Sequence, residues 1–289
     1  MAKTLDELAS TEIANLYNKK ISVFKPEDVA GLVLGELEKT GRYEAIVWAG
    51  AKIGLITVRD LLDVEQPEKT KLEGLWKAHG TLVKESTVGG VAAELVRINQ
   101  RALPVIDNNK PVGIISQVDI VAQLADVESL KKTTVKDILV VPAFTLDHGE
   151  SVGKARKLMI EKDISHVPIT KDGKLVGVVT ASELVHTFMS PTTKRAPVSR
   201  MGPKSTRFSG PVTSVMDKTP FMVPPTANAF DVAKGLRDHE KSVCVVVDEK
   251  GGVLGIVTPR ELLSLVGAPL SPPELPITIT GIADEDFFD

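Results

Sequence analysis

Residues 166–188 read HVPITKDGKLVGVVTASELVHTF, and this stretch decides the fold. A short apolar run is followed by the polar turn KDGK, by a second apolar run that contains Gly177, and by a helix-forming segment after Thr180. Asp172 and Gly173 are residue types that adopt the left-handed backbone conformations of a tight hairpin turn. The stretch therefore predicts two antiparallel strands followed by a helix.

The same pattern occurs four times along the chain. ALPVIDNNKPVGIISQVDIVAQL begins at Ala102, VCVVVDEKGGVLGIVTPRELLSL begins at Val243, and EAIVWAGAKIGLITVRDLL, from Glu44, is a looser copy. Each copy follows an amphipathic segment with helical spacing of its apolar residues. These segments are Glu27–Lys39, Val88–Asn99, Val152–Lys162 and Phe230–Glu240. The repeating unit is thus helix–strand–strand–helix with a short strand before it, which predicts an α/β fold built from internal repeats.

A short motif recurs at the same place in every copy, namely Gly-h-h-Thr/Ser-x-x-Asp/Glu, where h is apolar. Its glycines are Gly54, Gly113, Gly177 and Gly255. The hydroxyl falls at the junction between strand and helix, where it can cap the helix, and the carboxylate three residues later completes a capping box. The four pairs are Thr57/Asp60, Ser116/Asp119, Thr180/Glu183 and Thr258/Glu261. Capping explains the pattern without any ligand, above all for the two glutamates.

These four copies resemble CBS (cystathionine-β-synthase) domains over roughly residues 20 to 267. CBS domains associate in pairs called Bateman modules, so the resemblance implies two such modules, each with pseudo-twofold symmetry. We expect an N-terminal helix in residues 1–20, module 1 in 21–130, module 2 in 131–269 and an acidic tail in 270–289. The arrangement is similar to the stand-alone regulatory proteins with several CBS domains that are common in archaea.

The resemblance also implies a ligand. In CBS pairs the motif carboxylate accepts hydrogen bonds from the ribose diol of an adenosine group, and the hydroxyl and nearby helix N-termini face its phosphates. Asp60 and Asp119 match the usual family residue, whereas Glu183 and Glu261 are longer by one methylene, which puts the sites of module 2 in doubt. AMP, ADP, ATP and S-adenosylmethionine all remain candidate ligands, and no cofactor is required.

Other chemistry is sparsely represented. The single cysteine, Cys244, lies in the apolar run SVCVVV and is expected to be a buried structural thiol. None of the five histidines has a cysteine or a second histidine at metal-ligand spacing, and His166 is expected to pack at the module interface. No P-loop, G-x-G-x-x-G or nucleophile-elbow motif occurs. We therefore expect a non-enzymatic, metal-free cytoplasmic protein, either a monomer or a homodimer.

One basic segment interrupts the regular repeat. The formal net charge is −3, yet residues 191–212, PTTKRAPVSRMGPKSTRFSGPV, contain five cations and no carboxylate. The segment lies in the gap between Gly177 and Gly255, which is the longest of the three gaps between motif glycines. Such a composition suits RNA, which Lys and Arg would contact at phosphates and Phe208 at bases. The cations are Lys194, Arg195, Arg200, Lys204 and Arg207. DNA, an acidic protein partner and a mere linker remain alternatives.

The C-terminal residues 270–289 read LSPPELPITITGIADEDFFD. They are either a frayed acidic terminus or a docking peptide, with Phe287 and Phe288 as anchors for a partner such as a ribosomal protein. Taken together, the sequence predicts an adenine-nucleotide sensor that binds ribosomal RNA through its basic loop and inhibits translation when energy is low. The alternative is a nucleotide-binding regulatory subunit that acts on an enzyme or a transporter without RNA.

Overall fold

Four copies of one unit follow each other along the chain, and each contains the hairpin and helices that the sequence predicts. The computed structural model describes residues 4–188 and 208–266. Helix α1 spans Leu5–Ser10. Repeat 1 contains β1 (Val23–Phe24), α2 (Ala30–Thr40), β2 (Glu44–Ala49), β3 (Lys52–Thr57) and α3 (Val58–Leu61). Repeat 2 contains α4 (Val88–Arg97), β5 (Ala102–Asp107), β6 (Lys110–Ser116) and α5 (Gln117–Leu124). The short strand β4 (Lys77–Ala78) lies between these two repeats.

The second half of the chain repeats this order. Repeat 3 contains β7 (Leu146–Asp147), α6 (Val152–Lys162), β8 (His166–Lys171), β9 (Lys174–Thr180) and α7 (Ala181–Phe188). Repeat 4 contains β10 (Met222–Val223), α8 (Ala229–Asp238), β11 (Cys244–Val247), β12 (Val253–Val257) and α9 (Pro259–Leu263). Short 3₁₀ helices span Ile13–Asn15, Leu72–Gly74, Glu128–Lys132, Val135–Asp137 and Val212–Ser214.

Pairs of left-handed residues close the hairpins of the middle repeats. Asn108 (φ 49°) and Asn109 (φ 60°) join β5 to β6, and Asp172 (φ 51°) and Gly173 (φ 77°) join β8 to β9. Two consecutive residues with positive φ match the right-handed twist of the strands that they connect. The hairpins predicted from these turn residues are confirmed.

The segment that precedes each repeat lies across the hairpin of the other repeat in its pair, and we call these four stretches the crossing segments. Each makes antiparallel backbone pairing to the second hairpin strand of that neighbour. The pairs are β4 with β3, Asn18 with Ile114, Val140 with Ile256 and Asp217 with Val178. Repeats 1 and 2 therefore exchange segments with each other, as do repeats 3 and 4.

The motif glycines lie under the crossing segments. A Cβ atom on Gly54 would lie 1.9 Å from the carbonyl oxygen of Lys77, which no side chain can tolerate without displacement of the backbone. At Gly113, Gly177 and Gly255 the corresponding distances to carbonyl oxygens of the crossing segments are 2.9 Å (Asn18), 2.7 Å (Asp217) and 2.7 Å (Val140). Glycine recurs in the motif because the neighbouring backbone occupies the space of a side chain.

Two apolar clusters join the sheets within each pair of repeats. Residues of β2 and β3 pack against residues of β5 and β6; the buried members are Ile46, Ile53, Leu55, Ala102 and Ile114. In the second half of the chain, Val178 of β9 packs with Val243 and Val245 at and near the start of β11. The sheet contacts thus form the two Bateman-type pairs that the resemblance implies.

Helices join the two pairs to each other. One core contains side chains of α4 and α5 from repeat 2 together with α8 and α9 from repeat 4. A second core contains side chains of α2 and α3 from repeat 1 together with α6 and α7 from repeat 3. Sheet contacts (1 with 2, 3 with 4) and helix contacts (2 with 4, 1 with 3) therefore arrange the four repeats as a closed ring.

Four arginines hold the helical interfaces at the C-terminal ends of helices. Arg156 donates to the carbonyl of Leu62 at 2.7 Å, and Arg59 donates to the carbonyl of Asp163 at 3.0 Å. Between repeats 2 and 4, Arg237 pairs with Asp126 at 2.8 Å, and Arg260 donates to the carbonyl of Val96 at 3.3 Å. The carbonyl groups at helix C-termini lack partners within the helix and carry partial negative charge, so guanidinium groups stabilise them.

Helix α1, within the residues 1–20 where the sequence predicts an N-terminal helix, packs on repeat 2. Thr4 and Glu7 form a capping box at its start, and Leu8, Ala9 and Ile13 are buried against α4 and α5.

The end of the predicted basic loop belongs to the folded core. The prediction placed the loop in residues 191–212, but Val212 is fully buried and begins a 3₁₀ helix, in the same way as Leu72 and Val135 before other repeats. The backbone of Gly210 accepts a hydrogen bond from Val152 at 2.9 Å, which ties this stretch to α6. The five cations of the loop and residues 270–289, including Phe287 and Phe288, lie outside the described residues.

A substitution tests the role of the motif glycines. Gly54→Ala should lower the free energy of unfolding by about 2–4 kcal/mol, because the new Cβ would overlap a backbone carbonyl. Gly80→Ala is the matched control, since a Cβ there has no atom within 4 Å, and should change stability by less than about 0.5 kcal/mol. Urea denaturation followed by far-ultraviolet circular dichroism measures both. Equal stability of the two variants would contradict this account of the motif.

Candidate functional site

All four motif pairs form capping boxes at the start of the helix that follows. The hydroxyl oxygens of Thr57 and Ser116 accept hydrogen bonds from the amides of Asp60 and Asp119 at 3.3 and 3.4 Å. The amide groups of the hydroxyl residues donate back to the carboxylates at 2.7–2.8 Å in the four repeats. The structural role predicted for these residues is confirmed in every repeat, including Thr180/Glu183 and Thr258/Glu261.

The hydrogen bonds of the capping box end on one of the two carboxylate oxygens. In Asp119 the bonds from the Ser116 amide (2.7 Å) and hydroxyl (2.6 Å) both end on Oδ2, and in Glu183 the bond from the Thr180 amide ends on Oε2. A carboxylate has acceptor sites on both oxygens, so the same group can cap a helix and accept a ligand hydroxyl. Burial raises the pKa values of Asp119 and Glu183 above the ordinary carboxyl range.

The centre of the ring is formed by four equivalent positions, one from each repeat, just before the first hairpin strand. They are occupied by Tyr43, Arg101, Ser165 and Ser242. The guanidinium of Arg101 stacks on the ring of Tyr43 at 3.8 Å, and the Tyr43 hydroxyl is 2.9 Å from the Ser165 hydroxyl. These contacts link repeats 1, 2 and 3 at one point.

The next residue of each repeat differs even more in chemistry. These residues are Glu44, Ala102, His166 and Val243. Burial raises the pKa of Glu44 to about 7, an effect that the charge of Arg101 opposes. Burial lowers the pKa of His166 to about 3, and its Nε2 atom is 2.8 Å from the hydroxyl of Ser242. His166 is therefore a neutral residue between repeats 3 and 4; the sequence predicts packing at the module interface for it.

Two cavities meet at this centre. The small cavity, of about 220 Å³, lies within module 1 and includes Glu44, Ser116 and Asp119. The large cavity, of about 630 Å³, includes Thr180, Glu183 and Lys241 of module 2. Both cavities are also lined by the same four residues of module 1, namely Gly41, Arg42, Tyr43 and Arg101.

Charge in the large cavity is unevenly arranged. Arg42, Arg101 and Lys241 supply three cationic groups. Lys241 donates to Asp217 at 2.6 Å, and Asp217 belongs to the crossing segment that lies over repeat 3. Four carboxylates line the same cavity, those of Glu38, Glu183, Asp217 and Glu240, and that of Glu183 lies at the N-terminus of α7. The cavity therefore offers acceptors for hydroxyl groups and cations for an anion within one space.

The other two motif pairs occupy different surroundings. The carboxylate of Asp60 lies 3.8 Å from the ammonium of Lys77, which belongs to the crossing segment over repeat 1. Neither Thr57/Asp60 nor Thr258/Glu261 is among the residues that line the small or the large cavity. Among the eight predicted nucleotide-binding residues, the structure brings Ser116 and Asp119 to one cavity and Thr180 and Glu183 to the other.

Phe208 lies away from both cavities. Its ring centroid is 5.4 Å from that of Phe188, and the guanidinium of Arg156 lies 5.0 Å from the Phe208 centroid. These two contacts bring the ends of the basic loop together beside repeat 3. The predicted stacking of Phe208 on RNA bases stays a prediction.

Cys244 is fully buried, and burial raises its pKa to about 12, so the thiol is structural as predicted. Within the described ranges 4–188 and 208–266, no cluster of three or more His, Cys, Asp or Glu side chains has the geometry to hold a metal ion. The same ranges contain no helix that is both long and apolar enough to cross a membrane.

Sequence reasoning missed the central residues. Tyr43, Arg101, Ser165 and Ser242 share a position but only the two serines are of one residue type, so no motif marks the four. The available signal was positional, because each residue directly precedes or nearly precedes the apolar strand of its repeat. An alignment of the four copies would have placed the four side chains at one point.

A protein-family model identifies the repeating unit of the chain. The model of the CBS domain matches residues 81–126, 135–190 and 212–268, which together make up more than half of the chain. The chain belongs to the CBS-domain family. Repeat 1 lies outside these matches, yet it has the same order of strands and helices as the other CBS repeats.

Two related sequences come from Methanocaldococcus jannaschii and Methanopyrus kandleri. The uncharacterized protein MJ1404 of Methanocaldococcus jannaschii is 28% identical over 284 residues, which are 96% of this chain and 67% of that protein. The uncharacterized protein MK0525 of Methanopyrus kandleri is 28% identical over 135 residues, which are 46% of this chain and 60% of that protein. The chain thus spans about two thirds of the length of these relatives.

One solved structure has the same overall fold as this chain. Protein MJ1225 of Methanocaldococcus jannaschii, described as an archaeal homologue of g-AMPK, matches 88% of this chain and 99% of its own length with a TM-score of 0.77 and 15% identity. This likeness shows the four-repeat fold. A second match is the CBS pair of protein MJ0100 with 5′-methylthioadenosine and S-adenosylmethionine, which is 26% identical, covers 47% of this chain and 96% of its own, and has a TM-score of 0.39. A third is CBSX2 with AMP, which is 25% identical, covers 46% of this chain and 95% of its own, and has a TM-score of 0.38.

The two central titratable groups predict opposite pH dependences of stability. Glu44 has a higher pKa in the folded chain (about 7) than its ordinary value of 4.5, so its contribution to stability falls as the pH rises from 4.5 to 7. His166 has a lower pKa (about 3) than its ordinary value of 6.5, so its contribution falls as the pH drops from 6.5 to 3. Each slope is at most about 1.4 kcal/mol per pH unit.

Between pH 4.5 and 6.5 the two slopes oppose each other in the wild type. Glu44→Gln removes one of them, so the stability of this variant should rise with pH across that range relative to the wild type. His166→Asn, which keeps a polar group near Ser242, should shift the profile in the opposite direction. Urea midpoints at pH 4.5, 5.5 and 6.5 measure both effects. A Glu44→Gln profile parallel to that of the wild type would contradict the assignment.

Proposed function

We propose that this CBS-domain protein is a regulatory protein that binds an adenine nucleotide in the large cavity. The observation that carries the proposal is the combination, in one space of about 630 Å³, of the Glu183 carboxylate with three cationic side chains. Tandem CBS domains are typical of regulatory proteins that sense adenine nucleotides or S-adenosylmethionine, and the comparisons include CBS pairs that hold such ligands. We assign the regulatory body to modules 1 (21–130) and 2 (131–269).

The chemistry of the cavity fits the two ends of a nucleotide. A ribose diol presents two adjacent hydroxyl donors, and Glu183 accepts such donors at the N-terminus of α7. A phosphate needs several cationic donors, which Arg42, Arg101 and Lys241 supply. Pockets that bind small molecules typically enclose about 300–1,000 Å³, so the volume of the large cavity is sufficient.

Cavity volume favours the site that contains Glu183 over the site that contains Asp119. The small cavity holds Ser116 and Asp119 but encloses only about 220 Å³, which is less than a typical ligand pocket. The sequence put the glutamate-containing module in doubt because of the extra methylene. We propose instead that the glutamate site of repeat 3 takes the ligand, with a stoichiometry of one nucleotide per chain.

Isothermal titration calorimetry tests the site with AMP, ADP, ATP and S-adenosylmethionine. Glu183→Ala should weaken binding of the nucleotide about 10- to 100-fold, because a charged hydrogen-bond acceptor is lost. Glu261→Ala is the matched control: it removes an equivalent capping box from repeat 4, outside the residues that line the large cavity. Both variants should lose similar stability, about 0.5–2 kcal/mol, but only the first should lose affinity.

The proposal would be wrong if none of the four compounds binds the wild type. It would also be wrong in its placement of the ligand if Glu183→Ala and Glu261→Ala weakened binding equally. Thermal unfolding of both variants with and without nucleotide separates a loss of affinity from a loss of fold.

Binding of ribosomal RNA by the basic loop remains a prediction from composition. The loop cations lie outside the described residues, and the acid-free stretch from 184 to 215 is the observation that favours an anionic partner. Replacing Lys194, Arg195, Arg200, Lys204 and Arg207 with Ser should abolish co-sedimentation with ribosomes at low salt. Unchanged co-sedimentation would leave the alternative, a nucleotide-dependent regulator of a protein partner.

A further inference from the structure

Glu44 stands out among the residues that surround the centre of the ring. The equivalent positions of the other repeats hold Ala102, His166 and Val243, so Glu44 is the one carboxylate of the four. It lies in the small cavity, where Arg101 also lies. Glu44 therefore places an acid in a cavity of module 1 beside Arg101, a residue that also lines the large cavity.

Arg101 is shared between the two cavities. Its guanidinium stacks on Tyr43, and both side chains line the small cavity and the large one. On the side of the small cavity, the positive charge of Arg101 favours the ionised form of Glu44. On the side of the large cavity, the same guanidinium is available to a ligand phosphate. The guanidinium of Arg101 can thus interact with Glu44 on one side and with a ligand phosphate on the other.

Other charged groups near Glu44 come from three places. Asp119, on α5, disfavours its ionised form, and Arg42, two residues before it, favours that form. His166, which faces Arg101 from repeat 3, is buried and neutral. The charge of Arg101 is the strongest of those that favour the ionised form of Glu44, whereas burial favours the protonated form. The protonation of Glu44 therefore depends on where the charge of Arg101 is directed.

We propose that Glu44 competes with the phosphate of the ligand for Arg101, so that a phosphorylated ligand binds together with a proton that Glu44 takes up. This inference rests on the proposed function of the large cavity. When a phosphate attracts Arg101 and adds its own negative charge, the ionised form of Glu44 loses its main compensation. The carboxylate then accepts a proton from solvent, and no other bond changes.

The direction of the pH dependence follows from linkage. Free Glu44 has a pKa of about 7, and the bound ligand raises it further. Binding is therefore tighter at low pH and weakens as the pH rises through the interval between the free and the bound pKa. Each pKa unit of that shift corresponds to a tenfold difference in affinity between the two ends of the interval. Glu44 thus determines how strongly the cavity favours phosphorylated ligands.

Calorimetry of the full chain at pH 7.5, in buffers of different ionisation enthalpy, measures the proton directly. AMP is the probe, because its phosphate has a second pKa near 6 and is almost fully dianionic at this pH. We expect the wild type to take up about half a proton per AMP bound. Adenosine has no phosphate, so it should bind without proton uptake.

Two variants separate Glu44 from the other cations. Glu44→Gln should reduce the uptake to near zero and should bind AMP severalfold more tightly than the wild type at pH 8.5. Lys241→Met is the matched control, because Lys241 lines the large cavity but not the small one that holds Glu44; it should weaken AMP binding and keep the proton uptake. The comparison of wild type with AMP and adenosine needs no variant, so it stands even where Glu44→Gln fails to fold.

The outcomes are distinguishable from those of the proposed function. AMP binding to the wild type without proton uptake, or with the same uptake in Glu44→Gln, overturns this inference alone. If only ATP binds, the same titrations are made with ATP. If none of AMP, ADP, ATP and S-adenosylmethionine binds, the proposed function fails and this inference fails with it.

Discussion

The structure depends on the passage of one backbone across another at four glycines. Each repeat is complete only when the segment before its neighbour lies on its second hairpin strand, and the carbonyl groups of Lys77, Asn18, Asp217 and Val140 occupy the space where a Cβ would be. The exchange joins repeats 1 and 2 and joins repeats 3 and 4. Because the pairs are tied by backbone contacts, the helices at their outer faces are free to pack against the other pair.

The ring has a regular frame and an irregular centre. The capping boxes and crossing segments recur in all four repeats, since they satisfy backbone groups that every copy presents. The central positions are not bound by that requirement and hold a tyrosine, an arginine and two serines. This difference makes the two cavities unequal in volume and charge, although the repeats that build them share one fold.

Local signals made the repeats predictable from sequence. Turn pairs such as Asp172-Gly173 and the Thr/Ser capping residues specify hairpins and helix starts within a few residues, so the four units and helix Val152–Lys162 were predicted correctly. The candidate site was harder to predict from the sequence, because the stacking of Arg101 on Tyr43 joins residues of different repeats. The basic loop was predicted too long, since the burial of Val212 depends on packing against α6 and α7 rather than on local composition.

The crossing segments also fix the order in which the chain can acquire its structure during synthesis. The hairpin β2–β3 emerges first but has no cover over Gly54 until Lys77 and Ala78 follow it. The hairpin of repeat 3 waits longer, because its cover at Asp217 is separated from β9 by the whole basic loop. For repeat 4, the crossing segment at Val140 is synthesised before the hairpin β11–β12 on which it lies. A nascent chain therefore completes module 1 early, and it holds an open strand edge in repeat 3 while the loop is being translated.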